Sequence, residues 1–319
     1  MIKNKRIAVL TTHSFGYIDF LVEKFKDVKN VDFTYINIDS IPFTYKNKWY
    51  RMVNAIKKLF FLPCLKDINK TDFIKKSLEK GKVYDQVLII RPDKIQEEAL
   101  VFLRKNAVEM TCFLFDGIEN YKKQKKTLPY FDTVYSYDKV DVKKYNFKFL
   151  TNYIYDNEIE TTPIAYKVFN ISSYDMRFPL LEKFAENLTK NKISYLFIVK
   201  KNKIKEHKNI KFTDKYLSIQ DVKKHISESF ALVDIQFENQ HGLSFRVFEA
   251  LGYGKKLITN NQDIVNYDFY NENNIYVITD FNNEIPQSFF ETDYVKIDSS
   301  IIDKYFLKNW IIQVFKVQY

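Results

Sequence analysis

The side chains with the most chemical potential fall in one short stretch, residues 241–261. It holds His241, Gly242, Ser244, Arg246 and Glu249, then Gly252-Tyr-Gly254 and Lys255-Lys-Leu-Ile-Thr-Asn-Asn261. Read locally, this is a loop, a helix, a turn and a strand. Gly242 relaxes the loop, Ser244 can cap a helix by accepting a backbone N–H, and Gly252 and Gly254 end that helix. Arg246 and Glu249 are three positions apart, so a helix places them on one face. An arginine and the N–H groups of a helix start suit a diphosphate, and a carboxylate suits the hydroxyls of a ribose. Together they match a nucleotide sugar, with His241 on the donor side. The alternative is an ordinary surface ion pair. Upstream, in residues 171–177, Ser172 and Ser173 could offer hydroxyl and N–H donors to phosphate, and Arg177 could add charge. The alternative there is a plain capped helix start.

If such a ligand gives its sugar to an acceptor hydroxyl, the transfer calls for a general base. Two residues that follow apolar runs near the N-terminus could serve as that base. One is His13, in Thr11-Thr-His-Ser-Phe-Gly16, and the other is Asp116, ahead of Gly117. A turn-capping role is the alternative for Asp116, and a structural role for His13. Cys64 and Cys112 sit among apolar neighbours, and no Cys/His spacing suits zinc. With no Asp-x-Asp motif either, neither a metal nor a cofactor is expected.

The elements that must position these residues alternate in type. Strand-like runs occupy residues 7–10, 33–38, 87–90, 112–115 and 133–135, separated by amphipathic stretches at 18–25, 74–78 and 95–103. After a less regular passage at 153–163 the alternation restarts. Strands are expected near 167–171, 195–199, 231–235, 256–259 and 275–278, and helices near 179–188, 219–228 and 245–252. Such alternation means parallel sheets with helices on their faces. The expected fold is α/β with two Rossmann-like domains, residues 1–155 and 156–319, facing each other across a cleft and closed by a C-terminal helix. Open α/β sheets bind ligands outside the carboxyl ends of their strands, so these candidates lie at the right ends.

The chain has 319 residues, 46% of them hydrophobic, with a formal net charge of +10. That length fits two domains. No window approaches the roughly 18 apolar residues of a spanning helix, and the apolar run after Met1 is short for a signal peptide. A cytoplasmic protein is expected. Charge concentrates in residues 42–66, which hold Lys46, Lys48, Arg51, Lys57, Lys58 and Lys66 and no Asp or Glu. Trp49, Tyr50, Leu59 and Phe60 interleave with them. A basic amphipathic segment with aromatics suits an anionic membrane surface. A partly buried helix with snorkelling lysines is the alternative. No recognised nucleic-acid motif accompanies the stretch, so no nucleic-acid partner is expected.

The run Gly242-Leu-Ser-Phe-Arg-Val-Phe-Glu-Ala-Leu-Gly-Tyr-Gly-Lys-Lys-Leu-Ile-Thr259 resembles the donor-site signature of GT-B glycosyltransferases. It is most similar to the CgeB-like enzymes and their relatives in capsule and lipopolysaccharide gene clusters. Residues 84–90, 115–121, 130–138, 145–150, 268–271 and 305–310 look like landmarks of the same enzymes. The resemblance implies a metal-independent transferase that moves a sugar from a nucleotide-sugar donor to a surface-glycan intermediate, such as a polyprenyl-diphosphate-linked acceptor. It implies a ribose-binding role for Glu249. Two departures stand out. Glu238 and Glu249 have ten residues between them, more than the glutamate pair of many retaining relatives, so stereochemistry is not readable. Residues 171–177 also lack the glycine-bearing loop common at that position. A GT-B nucleotide-sugar epimerase and a non-catalytic nucleotide- or glycan-binding protein are the competing readings.

Overall fold

The computed structural model describes residues 4–12, 16–60, 62–78, 82–202, 207–238 and 240–319. The chain forms two compact units, Met1–Leu150 with Ile311–Tyr319, and Thr151–Trp310.

In the first unit the elements run β1 (Lys5–Thr11), α1 (Tyr17–Lys24), β2 (Val31–Asn37), α2 (Lys48–Leu59), α3 (Leu65–Ser77), β3 (Tyr84–Ile90), α4 (Glu97–Lys105), β4 (Ala107–Leu114), β5 (Thr133–Ser136), α5 (Lys139–Tyr145) and β6 (Lys148–Phe149). The strands pair in parallel in the order β2-β1-β3-β4-β5-β6. Ile7, Ala8, Val9 and Leu10 are all fully buried, as expected for a parallel strand covered on both faces. Ala8, Leu10, Val87, Ile89 and Met110 share one core with Ile74 of α3 and Ala99, Leu100 and Leu103 of α4. The last residues of the chain pack here too. Phe315 is fully buried and meets the Phe25 ring edge-on at 4.9 Å. Lys5 Nζ donates to Phe315 O at 2.5 Å and Gln86 Nε2 to Val314 O at 2.9 Å.

The second unit runs β7 (Tyr166–Ser173), α6 (Phe178–Lys190), β8 (Tyr195–Lys200), β9 (Lys211–Thr213), α7 (Ile219–Ser227), β10 (Ser229–Asp234), α8 (Phe245–Gly252), β11 (Lys256–Thr259), β12 (Ile275–Val277), α9 (Gln287–Glu291), α10 (Ser299–Ile302) and α11 (Leu307–Phe315), the last crossing the boundary between the units. Its strands form a second parallel six-stranded sheet in the order β12-β11-β10-β7-β8-β9. Leu181, Phe184 and Leu188 of α6 cover one face with Phe197 and Val233. Val247, Phe248 and Leu251 of α8 cover the other with Phe169, Leu232 and Leu257. Each unit is thus Rossmann-like, with a first strand flanked by later strands on both sides. The strand order reverses between β1 and β3 in one sheet and between β7 and β10 in the other. Such switch points are where open α/β sheets bind ligands.

Candidate functional site

The carboxyl ends of β7 and β10 are tied together by side chains from residues 171–177 and 241–261. Asp234, the last residue of β10, is buried. It accepts from Ser244 Oγ at 2.8 Å, from Gln236 Nε2 at 2.9 Å and from Thr259 Oγ1 at 3.4 Å. Ser244 caps α8 as expected, since its Oγ also accepts the Arg246 N–H at 3.1 Å. One hydroxyl therefore fixes the start of α8 to the end of β10. The loop between them is held by Asn261, whose Nδ2 donates to Gln236 Oε1 at 2.7 Å and to Gly242 O at 3.4 Å. Asn152 adds a bond to Leu243 O at 2.9 Å. His241 is exposed on this loop.

Arg246 and Glu249 do share a face of α8, and they bond to each other. Arg246 Nη1 donates to Glu249 Oε2 at 2.5 Å, and Nη2 reaches Ile171 O at the end of β7 at 3.4 Å. The remaining carboxylate oxygen, Oε1, accepts from Tyr155 Oη at 2.5 Å. Glu249 is only 2% exposed. The pair is therefore a buried, three-residue polar unit with Tyr155, not a solvated surface pair. Tyr155 arrives there because the segment around it crosses the end of α8 closely. A Cβ on Gly252 would come within 2.5 Å of Asp156 O and 2.7 Å of the Ile154 side chain. Gly252 is thus the last helical residue, needed for close approach, and Gly254, at φ 60, makes the left-handed turn that ends the helix. Asp156 in turn accepts from Lys223 Nζ at 2.7 Å and Tyr253 Oη at 2.9 Å. Burial opposes its charge, but these bonds and the Glu158 N–H hold its carboxyl below the usual aspartate value. Burial and the neighbouring Asp156 charge push the Tyr253 phenol well up, so it donates to that carboxylate as a neutral group.

Ser172 and Ser173 lie at the end of β7, registered against Val199 and Lys200 of β8, rather than in a loop. Arg177 stands just before α6. Its guanidinium clasps Asp175 through Nε at 3.0 Å and Nη2 at 2.6 Å, and donates to Ile235 O at 3.0 Å. It also stacks over the Phe237 ring, 4.1 Å from its centroid. Arg246 binds the end of β7 and Arg177 the chain just past β10, so the two arginines bracket the switch point with much of their charge balanced by Glu249 and Asp175.

In the first unit Asp116 follows β4 and is half-buried. Its carbonyl accepts from Gln124 Nε2 at 3.4 Å. The nearby Ile118 N–H donates to Asp141 Oδ2 at 2.7 Å. Asp116 is close enough to Tyr121 to be the main cause of that phenol's raised pKa, with burial second. Arg91, which follows β3 in a left-handed conformation at φ 61, stacks on Tyr121 at 4.3 Å and binds Asp93 with two bonds of 2.9 Å. Arg91 is not among the residues that the sequence brought forward, although Arg91-Pro-Asp93 directly after an apolar strand is a usable signal. His13 lies outside the described residues. Among the described residues no cluster of three or more His, Cys, Asp or Glu is arranged to hold a metal ion, and no helix is long and apolar enough to cross a membrane.

No family model matches the chain, and no curated protein matches its sequence. Known structures do match. A crystal structure of UDP-N-acetylglucosamine 2-epimerase superposes on 98% of this chain and 96% of its own, with TM-score 0.53 at 11% identity. The 2-epimerase of Rickettsia bellii aligns over 98% of this chain and 95% of its own at TM-score 0.46 and 10% identity. MurG of Acinetobacter baumannii aligns over 90% and 89% at TM-score 0.42 and 10% identity. The first of these, with the two switch-point sheets, establishes the GT-B fold.

Proposed function

We propose that the protein is a metal-independent glycosyltransferase that binds a nucleotide sugar at the β7/β10 switch point and passes the sugar to a surface-glycan intermediate. The observation that carries this reading is the buried Tyr155–Glu249–Arg246 unit at the start of α8, joined to the end of β7. A helix start supplies N–H groups and the positive end of a dipole to a diphosphate, and Arg246 and Arg177 add charge. Ser172 and Ser173, at the end of β7, add hydroxyls, and Gly242 lets the His241 loop approach the donor. Glu249 would receive the ribose hydroxyls by exchanging a present partner. Stabilising the leaving diphosphate with fixed positive groups is a large catalytic term that requires no metal. Asp116 or His13, both on the first unit, would take the acceptor proton. The resemblance of residues 242–259 to CgeB-like capsule and lipopolysaccharide enzymes supports a lipid-linked glycan acceptor at the inner face of the cell membrane.

A nucleotide-sugar epimerase is the second reading, and the fold likeness to UDP-N-acetylglucosamine 2-epimerase favours it. A melting-temperature panel of nucleoside diphosphates tests both, since a ligand of the native state raises its stability. One or more should shift melting, and Glu249→Gln should weaken that ligand by about 1.5–3 kcal/mol. No shift and no calorimetric heat with any of them removes the donor site. Isotope-labelled donor then separates the readings. Sugar appearing on acceptor, with EDTA present, supports transfer, and sugar inverted without acceptor supports epimerisation.

A further inference from the structure

Helix α2 is built the wrong way round for a helix of a water-soluble core. Trp49, Met52, Ile56, Leu59 and Phe60 recur at helical spacing and form one stripe. That stripe faces outward: Trp49 is 65% exposed, Leu59 73% and Phe60 66%, with Met52 and Ile56 also exposed. The residue on the opposite side, Asn54, is the one buried at 4%. Its Nδ2 donates to Tyr45 Oη at 2.9 Å, and its Oδ1 accepts the Leu65 N–H, at the start of α3, at 2.7 Å. The helix is thus held to its unit by a polar anchor and shows its apolar face to the surroundings. The alternative of a partly buried helix with snorkelling lysines does not describe it, because here the apolar side is the exposed one.

The charges around the stripe say what covers it. Lys48 and Lys57 fall on its two rims by helical spacing, Arg51 and Lys58 lie behind them, and residues 42–66 carry six basic side chains and no acid. An apolar ridge with a cation on each rim complements a surface that is apolar below and anionic above, which is the headgroup boundary of an acidic bilayer. We infer that α2 is an interfacial anchor that lies in the plane of an anionic membrane, with Trp49, Met52, Ile56, Leu59 and Phe60 inserted and the lysines at the phosphates. This deepens the proposed function, because it brings the chain to a lipid-linked acceptor. It is measured without turnover, so failure of either leaves the other standing.

The test uses the full chain with vesicles of phosphatidylcholine, with and without phosphatidylglycerol. The chain should float with the anionic vesicles and bind them at least about tenfold more tightly than neutral ones. Trp49 emission should shift to the blue and be quenched by brominated acyl chains, while Trp310, 3% exposed, stays constant. Trp49→Phe should remove that signal. Ile56→Glu with Leu59→Glu should abolish flotation without lowering the melting temperature, since both side chains are exposed. Lys57→Glu with Lys58→Glu should weaken it by roughly tenfold or more. Flotation that survives Ile56→Glu with Leu59→Glu, or an unmoved Trp49 spectrum, overturns insertion. A dimer that those two changes dissociate, or salt-sensitive binding to nucleic acid in place of vesicles, assigns the face to another partner and overturns the inference.

Discussion

Spacing alone makes the Arg246–Glu249 pair legible, because a three-residue interval on a helix admits little else. Tyr155 is not legible: it lies 94 positions from Glu249, and its own neighbourhood carries no periodic pattern. The same holds for Asp234, which looks like the end of an apolar strand and nothing more until Ser244 is seen to close on it. Asp116 is legible as a residue at a strand's carboxyl end, but its partners are not. Its charge reaches Tyr121 and Arg91, and a role in proton transfer is the proposal for this position. Asp116→Asn should lower turnover by about a hundredfold, the scale of a lost general base, with nucleoside-diphosphate affinity unchanged. His13→Gln should then be the milder change. Near-normal turnover in Asp116→Asn would remove this aspartate from the mechanism and leave His13 as the candidate.

At the level of elements, strands buried on both faces are the easiest to read, since a parallel strand shows as an unbroken apolar run. The run 87–90, Val-Leu-Ile-Ile, is of this kind and falls within β3. Short edge strands escape: both residues of β6 are exposed, and β9 has three residues, none buried, so neither carries a hydrophobic pattern. Strand β7 runs past its expected end at residue 171 because Ser172 and Ser173, though polar, still pair with β8. Gly252 reads as a helix terminator on composition, whereas its reason is tertiary. That reason gives a prediction at this scale. Gly252→Ala forces a methyl group against Asp156 O and Ile154, so the chain around Tyr155 must move and its bond to Glu249 must loosen. Overpacking of this kind costs about 1–3 kcal/mol. Chemical denaturation should show that loss together with weakened nucleoside-diphosphate binding. Lost stability with unchanged binding would separate Tyr155 from the donor site.

For the whole molecule, the repeated strand–helix alternation is enough to anticipate two α/β units, and the fold likeness agrees. Where each unit begins and ends is harder to read. The residues that follow β6 form little regular structure, so local pattern does not say which core receives them. Tyr153 settles into the second unit through Phe245 and Trp310. The final residues pass the other way: the helix that begins within the second unit ends in the core of the first, where Phe315 meets Phe25 and its carbonyl meets Lys5. A single apolar helix at the end of a chain matches either core by composition, and only the partners decide. Phe315→Ala should therefore destabilise the unit that is remote from it in sequence. Removing a fully buried ring costs about 3–5 kcal/mol, and the cavity lies beside Phe25. Limited proteolysis read by mass spectrometry should show new cleavage within residues 1–150. Nucleoside-diphosphate binding, which we propose for the other unit, should persist at temperatures where the first has opened. Cleavage confined to residues 151–310 would mean that α11 stabilises the second unit instead, and that the carbonyl bonds of Val314 and Phe315 to Gln86 and Lys5 contribute little to holding the first together.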